Sequence, residues 1–274
     1  QSIALGLLSE VHIHCKDSYE AMTLEEAASN PVASGPYKLV EWVKDDYLLM
    51  EKRADFDLRD PHFEQIVWRV IPEASTRSAE LIAGNVDIIT NVPPDQHDAI
   101  NGSGPAEVIP IAGLRRIFVG FNQTDIFDTV AAEAVKKTDV RVALQYAIDV
   151  PTICAALLGV ECERATGLVN APHDHPDLDP YPYDPAKAGE LLDAAGYPVG
   201  DDGYRFDITL MAGRDRYLND VLVVQAICQY LSDIDLNVNC DLQDFRAEFI
   251  PKLVNQEAGE IYFVGSGGGN WNPL

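Results

Sequence analysis

Four groups of side chains in this 274-residue sequence have the types and spacing for chemistry. His12, His14 and Cys15 form an H-x-H-C run in which the two histidines share one face of an extended segment, but no carboxylate stands at coordinating spacing beside them. His173, Asp174, His175, Asp177 and Asp179 supply hard and borderline ligands, yet they fall within residues 171–182, a stretch with four prolines that reads as a solvated surface loop. Arg115 and Arg116 could hold an anion. Being adjacent on a strand they face opposite sides, so only one can serve a given site. Arg214 and Arg216, in Gly213-Arg-Asp-Arg216 just past a strand, are better placed for the same task. Finally, Gly265-Ser-Gly-Gly-Gly269 imitates a phosphate cradle, but no Gly-Lys-Ser follows it. G-x-S-x-G, H-E-x-x-H and a G-x-G-x-x-G opening a helix are all missing. On these residues no metal, cofactor or catalytic group is expected. The rival from another class is a hydrolase that uses the Asp and His residues of 171–182.

The elements that must position these groups follow from periodicity. Residues 36–53 read as a hairpin around Lys44-Asp-Asp46, and 63–71 as a third strand. The segment from Pro72 to Arg77 opens a helix with an inward stripe of Ala79, Ile82 and Ala83, closed by Gly84. Residues 86–90 and 107–111 are expected as strands, with a short helix from Pro94 to Ile100 between them. An apolar strand at 115–122 leads to a helix N-capped by Asp139, with Val140, Ala143, Leu144, Ala147 and Ile148 at helical spacing. A second helix runs from Pro151 to Gly159, and a third begins at Asp184-Pro185 and ends at Ala195-Gly196. From Arg205 onward the order is strand 206–211, helix 217–233, strand 236–242, helix 244–256 and strand 260–264, a β-α-β-α-β lobe with a largely parallel sheet. Its glycine-rich end at 265–269 lies where open α/β sheets place ligands.

Composition narrows the partners. The 44 acidic residues against 20 basic ones give a formal charge of −24, which repels phosphate backbones and argues against nucleic acid. The 47% apolar content is enough for a real core, and no run is long and apolar enough to span a bilayer. Five cysteines, Cys15, Cys154, Cys162, Cys228 and Cys240, lack zinc-site spacing. Cys154 with Cys162, and Cys228 with Cys240, are close enough in the expected elements for two local disulfides in an oxidising compartment; buried free thiols are the alternative.

Four ordered segments carry a family resemblance. They are Asn30-Pro-Val-Ala-Ser-Gly-Pro-Tyr-Lys-Leu-Val-Glu-Trp42; Val70-Ile-Pro-Glu-Ala-Ser-Thr-Arg77 leading into Ile82-Ala-Gly-Asn-Val-Asp87; Val140-Arg-Val-Ala-Leu-Gln-Tyr-Ala-Ile-Asp149; and Tyr183-Asp-Pro-Ala-Lys-Ala-Gly-Glu-Leu-Leu-Asp-Ala-Ala-Gly-Tyr197. In this register the chain resembles the family 5 extracellular solute-binding proteins, the receptors of peptide- and nickel-type ABC importers. The resemblance implies an α/β fold of the type II periplasmic-binding-protein kind, present as a fragment: residues 1–113 a partial first lobe, hairpin-rich, and 114–274 a second lobe truncated at its C-terminal side. It implies a non-enzymatic receptor, periplasmic or extracellular, with lipid anchoring as one option and the signal peptide outside this sequence. A small peptide-like solute would be trapped between the lobes and handed to a membrane permease; a metal chelate, opine or oligosaccharide is the alternative cargo. The segment 115–122 would be a hinge strand lining the cleft, and the implied ligand-binding set is Arg116, Phe121, Asn122, Arg214, Gly269, Asn270 and Trp271. One departure stands out. Peptide-binding relatives read G-W-x-A-D after the last strand, with the Asp on the peptide's amino terminus, whereas Ser266 and Gly269 occupy the Trp and Asp places here.

Overall fold

Lys44, Asp45 and Asp46 turn the chain back on itself because Asp45 accepts a left-handed backbone, φ 62°, which short polar side chains tolerate. The Asp46 amide donates to the Val43 carbonyl at 3.1 Å, closing the hairpin between β1 (Tyr37–Val43) and β2 (Tyr47–Lys52). A third antiparallel strand, β3 (Gln65–Arg69), completes a sheet of order β1-β2-β3. The structure is a computed structural model and describes residues 15–58, 60–111, 113, 115–160, 162, 164–167 and 177–267. Two compact units emerge, one up to Ile89 and one from Thr90.

In the first unit α1 (Lys16–Ala21) and α2 (Leu24–Ser29) precede the sheet. A capping box starts α2: Thr23 Oγ1 accepts from the Glu26 amide at 3.2 Å and the Glu26 carboxylate accepts from the Thr23 amide at 2.8 Å. Helix α3 (Ala74–Ile82) is capped by Glu73, whose carboxylate accepts from the Thr76 amide at 2.6 Å. Its stripe differs from the expected one. Ala79, Ile82 and Ala83 are exposed and Ser78 is buried. The anchors explain the rotation: the Arg77 guanidinium donates to the carbonyls of Ile71 and Pro72, and Glu80 pairs with Arg69 of β3 at 2.7 Å, so the 77/78/81 side turns inward. Residues 86–90 and 107–111 are not strands either. No partner strand among the described residues reaches them, and without a ladder their apolar side chains stay outside, Ile88 at 83% and Ile111 at 86% exposure.

The second unit opens with a 3₁₀ turn, Pro94–Gln96, continuing into α4 (His97–Asn101), which buries Ile100 completely. Then follow β4 (Arg115–Phe121), α5 (Val130–Lys136), α6 (Thr138–Tyr146) and α7 (Val150–Ile153), the last running into a π turn at Cys154–Leu158 that ends on left-handed Gly159. Lys137 rather than Asp139 occupies the N-cap of α6, which places Asp139 in the first turn, where a carboxylate still favours the helix dipole. Asp184 caps α8 (Pro185–Ala194) as expected, accepting from the Lys187 amide at 2.9 Å.

The remaining elements are β5 (Asp207–Arg214), α9 (Asp220–Ser232), β6 (Asn237–Asp244), a π turn at Phe245–Phe249 with α10 (Ile250–Val254), and β7 (Ile261–Gly267). The strand order is β4-β7-β5-β6, with β5 parallel to both β6 and β7 and β4 antiparallel to β7. Alternation splits the core. Ile208, Leu210, Ala212, Ile261 and Phe263 face the helices that carry Val135, Val140, Leu192 and Val224, while Met211 packs with Phe249 and Ala258 on the other face. Both expected disulfides are present, Cys154–Cys162 and Cys228–Cys240, with Cα atoms 5.9 and 6.2 Å apart. Among the described residues no single helix is long and apolar enough to cross a membrane.

Candidate functional site

Open parallel sheets bind ligands beyond the carboxyl ends of their strands, where neighbouring connections leave toward opposite faces. In the second unit that place lies between β5 and β6. After β5 the chain passes to α9, which packs on the larger core, and after β6 it passes to the Phe245–Phe249 turn over Met211. Gly213 is required at the end of β5: a Cβ there would lie 2.5 Å from the Phe245 ring. The loop that follows is fixed by Asp220, a buried carboxylate that accepts from the amides of Arg216 at 2.7 Å, Tyr217 at 2.9 Å and Val221 at 2.8 Å. Asn219 ties it down further, donating to the Leu157 carbonyl at 2.7 Å.

This rigid loop holds aromatic and guanidinium groups in a stack. Arg216 lies over Tyr217 at 5.6 Å and over Phe245 at 5.4 Å, and Arg115, at the start of β4, lies over the same Tyr217 ring at 5.6 Å. The Tyr217 hydroxyl accepts from the Gly265 amide at 2.8 Å. Gly265 leaves the room this needs, since a Cβ there would sit 2.9 Å from Arg115 Cδ and 3.0 Å from that hydroxyl.

The sequence-derived candidates do not all meet here. Arg214, exposed, ends β5 at this edge, and Arg116, half-buried and paired in register with Ser266, is at the same end on the face opposite Arg115. Phe121 and Asn122 are at the other end of β4, because β4 runs antiparallel and Phe121 pairs with Ile261. At a rise of about 3.3 Å per residue, the four residues from Leu210, level with Ile261, to Arg214 put these two groups ~13 Å apart along the strands. The Asn122 amide is engaged within the protein: Nδ2 donates to the carbonyls of Gln256 at 2.6 Å and Gly259 at 3.3 Å, and Oδ1 accepts from Thr124. Gly269, Asn270 and Trp271 are outside the described residues, as are His12, His14, His173, Asp174 and His175. Among the described residues no group of three or more His, Cys, Asp or Glu side chains could hold a metal ion. Tyr217 and Phe245 escaped the sequence reading, and of the adjacent pair Arg115 and Arg116 the ligand-binding set took Arg116 whereas Arg115 is the one over Tyr217. Phe245 is invisible there because its role depends on Gly213, one strand away.

The first unit has a concavity of its own, an open groove of about 1070 Å³ lined by Met22, Tyr37, Leu39, Trp42, Met50 and Arg53, among others. It runs along β1, the edge strand of this sheet, which contributes residues 37–42 to its wall.

Comparison with known proteins now becomes informative. The model of the bacterial extracellular solute-binding proteins, family 5 (middle) matches residues 2–274. A glutathione-binding protein of Shigella flexneri, GsiB, is 26% identical over 246 residues, which is 88% of this chain and 46% of that protein. The periplasmic binding protein DppA of Helicobacter pylori, solved with the peptide STSA, superposes with a TM-score of 0.73 at 23% identity, covering 93% of this chain and 48% of that one. NikZ of Campylobacter jejuni, solved with Ni(L-His), gives 0.75 at 21% identity, covering 93% and 50%. These neighbours have the type II periplasmic-binding-protein fold, and the chain spans about half the length of the relatives it matches.

Proposed function

The chain belongs to the family 5 bacterial extracellular solute-binding proteins, and from that premise we propose that it is the solute-capturing part of an ABC importer's receptor. The family match over residues 2–274 carries this reading. It works by binding alone: a solute that touches two lobes only when they close stabilises the closed form, and the closed receptor delivers it to a permease. In this reading residues 1–113 contribute to one lobe and 114–274 to the other. The protein acts outside the cytoplasmic membrane, held by a lipid anchor or free, and breaks no bond. Support for an extracytoplasmic site comes from the two disulfides, which persist in oxidising compartments.

The cargo is peptide-like, in line with the glutathione and the STSA peptide named for two of the relatives. Ser266 and Gly269 mark a departure from the peptide binders' G-W-x-A-D, so an amino terminus would have to be held by other groups, such as Asn270. We assign the cleft wall on the second unit to the carboxyl edge of its sheet, with Arg214 and Arg116 there and Gly269, Asn270 and Trp271 following β7. Phe121 and Asn122 are kept as members of the hinge strand. The test is calorimetry with short unmodified peptides and their N-acetylated forms, with the solute's mass checked afterwards. Saturable binding that returns the solute unchanged is expected. Conversion of the solute, or no saturable binding by any peptide, overturns the proposal.

A further inference from the structure

From the carboxyl edge of the second sheet we infer that the captured solute carries at least two carboxylates, gripped by Arg115 and Arg216, which both lie over the Tyr217 ring; this rests on the solute-capture reading above. The chain has 44 acidic residues, and several of its cations pair with them: Arg53 with Asp55, Lys136 with Asp125 and Glu133, and Arg205 with Asp193. The guanidinium groups clustered at this edge do not. Among the described residues Arg115, Arg214 and Arg216 form no ion pair with any carboxylate.

Asp215, between Arg214 and Arg216, is exposed and makes no ion pair with either, and two other acids close by turn their oxygens to the backbone. Asp220 accepts from the amides of Arg216 and Tyr217, and Asp244 accepts from those of Arg246 and Ala247. Each such bond consumes acceptor capacity and leaves the guanidinium groups uncompensated. Stacking then determines which part of each guanidinium is free. Arg216 lies over Tyr217 and Phe245 and Arg115 over Tyr217, and a guanidinium held against aromatic rings and free of a carboxylate partner can offer its N–H fork to a carboxylate of the solute. Two forks on one aromatic ring suit two carboxylates on one small molecule. Arg214, exposed on the last position of β5, adds a third charge at the same end.

The experiment is calorimetry on the whole chain with matched probes that differ only in carboxylate against carboxamide: Glu-Glu with Gln-Gln amide, and tricarballylate with its triamide. The acid of each pair should bind at least tenfold more tightly, with affinity falling as salt rises. Arg115→Gln and Arg216→Gln should each erase most of that ratio, and Arg216→Lys, which keeps the charge but loses the fork, should recover it only in part. Far-ultraviolet circular dichroism checks that these exposed substitutions leave the fold intact. Equal binding of acid and amide, or a ratio that survives both Arg→Gln variants, overturns the dicarboxylate inference and leaves solute capture standing. Failure of all probes and of neutral peptides to bind would sink the capture reading and this inference with it.

Discussion

Asn122 offers the sharpest test of how the end of β4 is held. Its side chain is 6% exposed and clamps the end of β4 to the turn before β7 through the carbonyls of Gln256 and Gly259, while its oxygen accepts from the Thr124 amide at 3.2 Å and hydroxyl at 2.6 Å. Asn122→Ala removes two donors and one doubly used acceptor. Each bond contributes about 1 kcal/mol net, and each group left unsatisfied in a buried place costs about 1 to 3, so with partial rehydration the expected loss is roughly 2 to 4 kcal/mol. Urea denaturation monitored by far-ultraviolet circular dichroism should show that loss as a lower midpoint with an unchanged slope. Asn122→Asp separates the clamp from mere packing. It keeps the acceptor for Thr124 but aims a carboxylate at two carbonyl oxygens, so the introduced group's folded pKa rises above its unfolded value of about 4. The variant should therefore be most stable below that pH and lose stability as pH rises through the folded value. A loss under about 1 kcal/mol for Asn122→Ala, or a pH dependence of the opposite sign for Asn122→Asp, would refute the clamp.

Three further outcomes are expected. Replacing Cys228 and Cys240 by serine opens a bridge of sequence separation 12 and should cost about 3 kcal/mol in chemical denaturation under oxidising conditions, against no difference from the parent under reducing ones. Gly213→Ala places a methyl 2.5 Å from the Phe245 ring and 3.0 Å from its Cα, so backbone must move; about 1 to 3 kcal/mol of stability and the near-ultraviolet aromatic signal of the stack should be lost together. The Glu73 carboxyl is held down to about 2 by Ser75 and Thr76, so its folded pKa lies below its unfolded one; amide protection in Ala74–Ile82 should be full above the ordinary carboxylate range and fade as pH falls toward 2, a fade missing in Glu73→Gln.

Local chemistry was readable where it decides the outcome alone. The Lys44-Asp-Asp46 turn and the Asp184-Pro185 start need only their own residues, and the β-α-β-α-β order after Arg205 shows in its alternating periodicity because its strands pair with one another. The stripe Ala79, Ile82 and Ala83 failed because Arg77 and Glu80 reach backbone and strand partners that rotate α3, information that periodicity does not contain. Residues 86–90 and 107–111 look like strands to any pattern rule, yet a strand exists only where a partner supplies its hydrogen bonds. At the candidate site, Arg214 and Arg216 announced themselves by following a strand. Arg115 was one of an adjacent pair whose choice rested on which face looks toward Tyr217, and Phe245 mattered only through the missing side chain of Gly213.

The strand order β4-β7-β5-β6 also sets a timetable. Parallel β5 and β6 are joined by one helix, so they can pair as soon as that short stretch of chain exists. β4 is the unit's earliest strand and finds its ladder on β7, its latest. A chain emerging from its N-terminus therefore carries β4 with an unpaired edge through the synthesis of nearly the whole unit, and the sheet closes only when Ile261–Gly267 arrives. The contact that joins β4 to the rest of its sheet is thus the last of the ladder to form, which leaves the unit open and threadable until Ile261–Gly267 has been made.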